Sequence, residues 1–130
     1  MTVITAQYKN FVSPPGPFTL VTVGDPSGTQ VIPDQVAQVD SAADRTVLPQ
    51  SCVDRLGLAP IRHIQLAGFG GTPHSYPVFL VLLALPNFSA ITLEVVAHPD
   101  EPWVLLGRDV MNRYKVLLDG PSLEVSILEP

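Results

Sequence analysis

The stretch that decides the fold is Val36-Ala37-Gln38-Val39-Asp40-Ser41-Ala42-Ala43-Asp44-Arg45-Thr46-Val47-Leu48. An apolar and β-branched run, typical of a buried strand, ends at a single carboxylate, Asp40, and three small residues follow it. Taken alone, Asp40 fits a turn residue or a helix cap. The small side chains beside it leave space around the carboxylate, so Asp40 is also a candidate functional acid.

A second informative segment lies further along the chain. Val104-Leu105-Leu106 leads directly into Gly107-Arg108-Asp109. Together the two segments resemble the retroviral-type aspartic proteases (retropepsins), in which each subunit carries an apolar-apolar-Asp-Thr/Ser-Gly-Ala loop and a later apolar-apolar-Gly-Arg-Asp/Asn segment. The resemblance covers roughly residues 18–128.

Composition is that of a small, apolar-rich domain. The 130 residues suffice for one domain with a modest core, and 46% are hydrophobic against 15% charged. Either a partner covers some apolar surface, or the domain is a compact β structure. The net charge of −5, without a Lys/Arg cluster, argues against nucleic acid as a partner. No run is long enough for a bilayer and no secretory signal is recognisable, so we expect no membrane partner and a cytoplasmic location.

Short strands punctuated by 14 prolines and 9 glycines predict a mostly-β domain. The predicted elements are strands at 18–23, 30–32, 35–39, 63–66, 76–85, 91–97, 115–118 and 123–128, an extended piece at 47–48, helical turns at 51–56 and a short helix at 108–114. Residues 1–16 are expected to be a loosely held N-terminal arm, and residues 17–130 the domain itself. With the resemblance, the expected fold is all-β: a retropepsin-like acid-protease barrel with one short C-terminal helix and a glycine-rich flap hairpin.

Hydrolysis of a peptide by carboxylates requires two of them in contact, sharing one proton because like charges that close cannot both ionise. The ionised group accepts a proton from water, and the protonated group donates to the scissile carbonyl. This chain has no internal repeat and one such loop, so the second acid is expected from Asp40 of an identical chain across a two-fold axis. The resemblance therefore implies a homodimeric aspartic endopeptidase, a hydrolase acting on peptide or protein substrates without metal or organic cofactor.

The resemblance also assigns roles to the neighbours of Asp40. Ser41 occupies the position of the hydroxyl that braces the catalytic pair, and Asp44 that of an acid near the bound substrate. The family glycine between them is here Ala42, which would contact substrate. Its methyl group would crowd the cleft, and a positive φ would strain it, whereas with an ordinary φ the cost is small.

The later segment is assigned to structural support. Arg108 matches the family arginine and either pairs with Asp44 to hold the active-site loop, a task that suits a bidentate guanidinium, or is merely solvated. Gly107 belongs to the same motif, and Asp109 caps or braces the short helix.

The stretch Gly68-Phe69-Gly70-Gly71 resembles the flap, a hairpin that closes over bound peptide. Gly70 and Gly71 allow a tight turn, and Phe69 would cover the substrate. By itself a Gly-Gly pair is an ordinary turn. An extended peptide would bind beneath the flap by strand-like backbone bonds, with alternate side chains entering pockets.

Other chemistries receive little support from the sequence. Cys52 is the single cysteine, which excludes an intrachain disulfide, and its apolar neighbours favour a buried structural thiol. His63, His74 and His98 lack metal-ligand spacing, so no metal site is expected.

Two alternatives to an active protease stay open. Because Ala42 replaces glycine, the chain is alternatively a catalytically weak or inactive module of the same fold that dimerises or binds peptides. The proline-rich arm also fits a fragment released from a longer precursor.

Overall fold

The structure, a computed structural model, describes residues 2–67 and 71–130. The strands are β1 (Val3–Gln7), β2 (Phe18–Gly24), β3 (Val31–Val39), β4 (Val47–Pro49), β5 (Arg62–Ala67), β6 (Pro73–Ala84), β7 (Ile91–His98), β8 (Val104–Leu106), β9 (Lys115–Asp119) and β10 (Glu124–Leu128), and the helices are α1 (Gln50–Arg55) and α2 (Arg108–Met111). The all-β class predicted from the sequence is confirmed. Within the described ranges, no helix is long and apolar enough to cross a membrane.

Six strands close into a barrel. Their hydrogen-bonded order is β2-β3-β8-β4-β7-β6, and β6 pairs again with β2 to complete the ring. Closure pairs the strand edges that an open sheet would expose. Alternate residues point inward and form the core, including Val21, Val23, Val81, Leu83 and Val95, each at most 1% exposed.

Strands β3 and β8 run parallel inside this barrel, with Val39 opposite Leu106. Parallel neighbours end at the same edge of a sheet. The two sequence motifs, which begin at Asp40 and Gly107, therefore leave the barrel side by side. This pairing of β3 with β8 positions the candidate site.

A hairpin projects from the barrel on the far side of β6. It consists of β5 and the first half of β6, paired from Arg62 opposite Val78 to Ala67 opposite Pro73. At its base, the guanidinium of Arg62 makes two 2.6 Å hydrogen bonds to the carboxylate of Glu94 on β7. The base of the hairpin is thereby tied across β6 to the barrel wall.

The expectation of a loosely held arm at residues 1–16 is wrong for Val3–Gln7. These residues form β1 and pair antiparallel with β10, in a separate sheet of order β1-β10-β9. The N–H of Glu129 donates to the carbonyl of Thr2 at 2.9 Å, so the two ends of the chain lie side by side. The physical reason is the alternation in β1, whose residues Ile4 and Ala6 pack against the core while their neighbours face solvent.

The two strands predicted at 30–32 and 35–39 are one continuous strand, β3. The predicted break is bridged by Asp34, whose φ is +56°. Aspartate tolerates this left-handed conformation better than most residues, so the strand continues through a local irregularity.

Candidate active site

Asp40 lies directly after β3, at the edge where β3 and β8 end together. Its N–H donates to the carbonyl of Leu106 at 3.0 Å, which extends the parallel pairing by one residue. Its carboxylate Oδ1 accepts the N–H of Ala42 at 3.0 Å, and its carbonyl accepts the N–H of Ala43 at 3.3 Å. The chain turns back on itself here, and the half-buried carboxylate is held by the backbone of the Asp40 loop, residues 40–45.

Arg108 holds this loop from the neighbouring strand end. Its backbone N–H donates to the carbonyl of Ala43, and its Nη1 donates to the carbonyl of Ser41, both at 2.8 Å. Its Nη2 lies 3.7 Å from Oδ1 of Asp44, and the two side chains are 46% and 83% exposed. A bidentate Arg108–Asp44 contact is therefore not formed, and an ion pair this long and exposed adds little stability. Arg108 supports the loop chiefly through the carbonyl of Ser41.

Position 107 requires glycine, because the structure leaves no space for a side chain there. A Cβ built on it would lie 2.6 Å from the carbonyl carbon of Arg45, 2.7 Å from the oxygen of Arg45 and 2.9 Å from the oxygen of Ala43. All three are backbone atoms of the Asp40 loop. The φ of Gly107 is −86°, which any residue adopts, so its requirement is steric and not conformational.

Thr46 and Asp109 join the two motifs beneath the loop. Thr46 is fully buried, its hydroxyl donates to Oδ1 of Asp109 at 2.8 Å, and its N–H donates to Oδ2 at 3.0 Å. The same hydroxyl accepts the N–H of Gly107 at 3.2 Å. Asp109 Oδ1 also accepts the N–H of Val110 at 2.9 Å, which braces the start of α2. Sequence reasoning assigned support to Asp109 but overlooked Thr46, whose one available signal was a hydroxyl at the entry to an apolar strand.

Ser41 and Ala42 are both exposed at the tip of the loop. The described non-glycine residues with positive φ are Asp34, Asn87 and Leu123, so the backbone of Ala42 is in an ordinary conformation. Backbone strain, one of the two costs expected for the methyl group of Ala42, is therefore absent. Crowding of a ligand or of a second loop is what remains.

The hairpin of β5 and β6 lies across the site from the loop. Gly71, two residues before its return strand β6, has φ +74° and open space within 4 Å of the position a Cβ would take. Glycine adopts this conformation without strain. The predicted substrate-covering residues Phe69 and Gly70 lie outside the described residues.

A cavity of about 510 Å³ lies between the Asp40 loop and this hairpin. Its apolar part is formed by Val47, Leu66 and Leu105, and its polar lining includes Asp44, Arg45, Tyr76, His98 and Glu101. The ring centroids of Tyr76 and His98 lie 5.6 Å apart. The volume and the mixed lining suit a small ligand group with both polar and apolar atoms.

Glu101 is the carboxylate of this cavity that sequence reasoning missed. Burial raises the pKa of Glu101; the neighbouring carboxylates Asp100 and Asp40 add to the rise, and His98 opposes it. Glu101 thus lies within electrostatic reach of Asp40. Its position follows from the packing of the loop between β7 and β8, which no local sequence pattern reveals.

Trp103 packs on the other flank of the site. Its Nε1 donates to Oε1 of Gln38 at 3.0 Å, two residues before Asp40. The centroid of its ring lies 5.0 Å from the ring centroid of Phe18 and 5.9 Å from that of Phe11. This cluster stiffens the strand that carries Asp40.

Cys52 does not line this cavity. Cys52 is 2% exposed, burial raises the pKa of its thiol, and its Sγ lies 3.7 Å from Oε1 of Gln35, all of which fit the predicted structural thiol. In the part of the chain that the structure describes, no three His, Cys, Asp or Glu side chains are grouped to hold a metal ion.

Comparison with known protein families gives one match that spans the site. A family model described as aspartyl protease matches residues 23–110, which is more than half of the chain. The matched region includes Asp40, Thr46 and Asp109. Among curated protein sequences, no significant match was found.

Several solved structures share this fold. A retropepsin-like aspartic protease from Rickettsia conorii has a TM-score of 0.67 at 12% identity, with 97% of this chain and 90% of that chain covered. The EIAV protease in complex with the inhibitor HBY-793 has a TM-score of 0.50 at 23% identity, covering 78% and 90%. The retroviral protease-like domain of Ddi1 from Leishmania major has a TM-score of 0.52 at 14% identity, covering 87% and 94%. The retropepsin-like barrel predicted from the sequence is confirmed.

Proposed function

Because the chain belongs to the aspartyl protease family, we propose that it is an endopeptidase in which Asp40 from each of two identical chains forms the catalytic pair. The observation that carries the proposal is the setting of Asp40. It stands at the end of the parallel β3–β8 pair, with its loop held by Arg108 and by the buried bonds of Thr46 and Asp109. A loop held in this way keeps a carboxylate in one place, which catalysis by a shared proton requires.

The reaction follows from two carboxylates in contact that hold one proton between them. The ionised Asp40 accepts a proton from a water molecule, and the oxygen of that water attacks the scissile carbonyl carbon. The protonated Asp40 gives its proton to the carbonyl oxygen, which leaves a tetrahedral diol. The Asp40 that is now protonated gives its proton to the leaving nitrogen, and the other Asp40 takes a proton from a hydroxyl of the diol. The C–N bond breaks, a carboxylic acid and an amine are released, and the pair again holds one proton.

A second copy is needed because one chain supplies one Asp40 loop. Under a two-fold axis each loop faces its own copy, so the same residue provides both acids. The exposure of Ser41 and Ala42 at the tip of the loop is consistent with a neighbour at this point. In the proposed dimer Ser41 braces the pair.

The substrate is an extended peptide or protein segment bound between the loop and the hairpin. In this proposal the hairpin acts as the flap, and Phe69, Gly70 and Gly71 have the role of covering the substrate. Ala42 and Asp44 border the peptide backbone. The cavity of about 510 Å³ beside Asp44 receives one side chain, and its charged lining favours a polar one over a purely aliphatic one.

A second candidate function is favoured by Ala42 alone. Its methyl group stands where the family carries glycine, next to the expected substrate. If that methyl blocks the productive pose, the chain is a dimerisation or peptide-binding module that turns over slowly or not at all.

The test is cleavage of a mixed peptide library from acid to neutral pH by the native chain and by Asp40→Asn. This substitution keeps the size and a hydrogen-bonding oxygen but removes the ionisable acid. The proposal expects new internal cleavages with the native chain and none above background with the variant. Equal background in both, together with peptide binding by both, would establish the binding module in its place.

A further inference from the structure

We propose that a cavity between β1 and the outer face of the barrel binds a small amphipathic carboxylate, with a medium-chain fatty acid as its simplest form. We call this space the β1 cavity. The inference goes beyond the proposed function, because among the described residues the β1 cavity shares no lining residue with the cavity beside the Asp40 loop.

The β1 cavity has a volume of about 330 Å³, and its walls come from two different sheets. One wall belongs to β1 and the segment that follows it, and the other belongs to β2 and β3 of the barrel. Small-molecule sites in proteins are concave, mostly apolar and roughly 300–1,000 Å³ in volume, so the β1 cavity fits a ligand at the small end of this range. Most of its lining is apolar and is contributed by Ile4, Ala6, Phe11, Phe18, Leu20 and Val36.

The barrel wall of the β1 cavity is an apolar patch on the side of the sheet that faces away from the barrel core. Leu20 of β2 lies opposite Val36 of β3. Leu20 is 42% exposed, whereas its strand neighbours Thr19 and Val21 are buried, at 6% and 1% exposed. An apolar patch that stays exposed in a concave place is typical of a binding site.

Phe11 forms a part of the wall that is in place before any ligand binds. Its ring packs edge-on against Phe18, with the centroids 5.1 Å apart, and its centroid lies 5.9 Å from that of Trp103. The segment that carries Phe11 is closed at its ends, since the N–H of Lys9 donates to the carbonyl of Gly16 at 2.9 Å and the N–H of Gly16 donates to the carbonyl of Lys9 at 3.1 Å. Phe11 is still 55% exposed, so much of its ring is available for contact. A wall that is already ordered does not have to be ordered by the ligand.

Lys9 gives the β1 cavity its charge. It is exposed, and it is the one charged residue among the described residues that line the cavity. Residues 1–24 contain no Asp or Glu, although the whole chain carries a net charge of −5. Within the described ranges, Lys9 takes part in no ion pair. A cation beside an apolar cavity complements a ligand with an apolar body and an anionic head group, and this combination defines the class of ligand.

The first experiment titrates the native chain with hexanoate, octanoate and decanoate by isothermal titration calorimetry, at concentrations below those at which the acids form micelles. Each step of this series adds two methylene groups. Their burial should lower the dissociation constant about tenfold per step until the cavity is filled. Binding should saturate at one ligand per chain.

The second experiment tests the anionic head group by comparing octanoate with octanol, which has the same chain length and no charge. Lys9→Gln should raise the dissociation constant of octanoate about two- to fivefold, the effect expected from loss of an exposed ion pair, and should leave that of octanol unchanged. Lys9→Arg keeps the positive charge and should bind both compounds as the native chain does.

The third experiment tests the location of the site. Leu20→Asn replaces an apolar wall residue by a polar one and should raise the dissociation constant of octanoate about tenfold. Ile61→Asn, the same kind of replacement at a position that is 50% exposed and outside the β1 cavity, is the matched control and should leave binding unchanged. Asp40→Asn should also bind octanoate as the native chain does. Circular dichroism checks that every variant is folded.

The outcomes decide the proposal independently of peptide cleavage. Saturable binding that strengthens with chain length, weakens in Leu20→Asn and responds to the charge at Lys9 supports it. No saturable binding of any of the three acids overturns it, and so does equal binding by Leu20→Asn and Ile61→Asn. Equal effects of Lys9→Gln on octanoate and octanol overturn the anionic class of the ligand. A dissociation constant that rises with protein concentration would show that a second copy of the chain fills the cavity, which overturns the small-molecule site.

Discussion

The side chain and the backbone of Thr46 both donate to the carboxylate of Asp109, at 2.8 and 3.0 Å, although 63 residues separate the two in sequence. This contact locks the end of the Asp40 loop to the start of α2. Because Thr46 is fully buried, water cannot replace either bond. The rigidity of the candidate site therefore depends on a residue that follows the Asp40 loop.

Thr46→Val should destabilise the domain by about 1–3 kcal/mol, because the variant keeps its shape but leaves the buried N–H of Gly107 without an acceptor and removes one of the two donors to Oδ1 of Asp109. Urea unfolding monitored by fluorescence of Trp103 measures the change. Thr22→Val, the same change at a half-buried position of β2, is the control. If Thr46→Val lowers the unfolding free energy no more than Thr22→Val does, the hydrogen bonds of the Thr46 hydroxyl contribute no particular stability.

Gly107→Ala should cost about 1–3 kcal/mol, because its Cβ would meet backbone atoms of Arg45 and Ala43 that cannot move without displacing the Asp40 loop. The rate of peptide cleavage should fall by more than the loss of folded protein accounts for. Gly120→Ala is the control, since nothing lies within 4 Å of its added Cβ, and should stay within about 0.5 kcal/mol of native. Equal unfolding free energies for the two variants would contradict the steric account.

Ala42→Gly should raise kcat/KM severalfold while lowering stability by about 0.4–1 kcal/mol. The stability loss comes from the greater freedom of glycine in the unfolded chain, since Ala42 carries no strain to relieve. Ala43→Gly introduces the same freedom one residue later without removing the methyl in question. Turnover that is unchanged, or that rises equally in both variants, would reject obstruction by Ala42.

Glu101→Gln should stabilise the domain at pH 7 and have little effect at pH 4. Burial raises the pKa of Glu101 above its ordinary value of 4.5, so the folded state binds this proton more tightly than the unfolded state. The resulting stability is fully present below pH 4.5 and is lost as pH rises through the raised value. Thermal unfolding of both proteins at the two pH values measures the difference, and equal shifts in Tm at both would show that partial burial does not raise the pKa of Glu101.

Asp44→Asn should change stability by less than about 0.5 kcal/mol, because the ion pair with Arg108 is long and exposed. Arg108→Met, which removes the bond to the carbonyl of Ser41, should reduce cleavage strongly while the barrel stays folded. Steady-state kinetics with a common peptide compares the two. A larger loss of activity in Asp44→Asn than in Arg108→Met would reverse the assigned roles of the two contacts.

Much of this fold is predictable because its signals are local. Alternating and apolar runs predicted the barrel strands except β8, and the resemblance placed Asp40 and Gly107 in related motifs. The strand β1 was not predicted, because Pro14, Pro15 and Gly16 outweighed a short alternation whose partner lies at the opposite end of the chain. Thr46 and Glu101 were overlooked for the same physical reason. Their roles arise from contacts between distant segments, which no local pattern encodes.

The hydrogen bond between the N–H of Glu129 and the carbonyl of Thr2 has a practical consequence for protein engineering. Ends that touch can be joined by a linker of a few residues at small entropic cost. New ends could then be opened at the exposed turn around Asn87, between β6 and β7, without cutting a strand. A circularly permuted version of this barrel is therefore feasible, and it would carry its Asp40 loop on an unchanged scaffold.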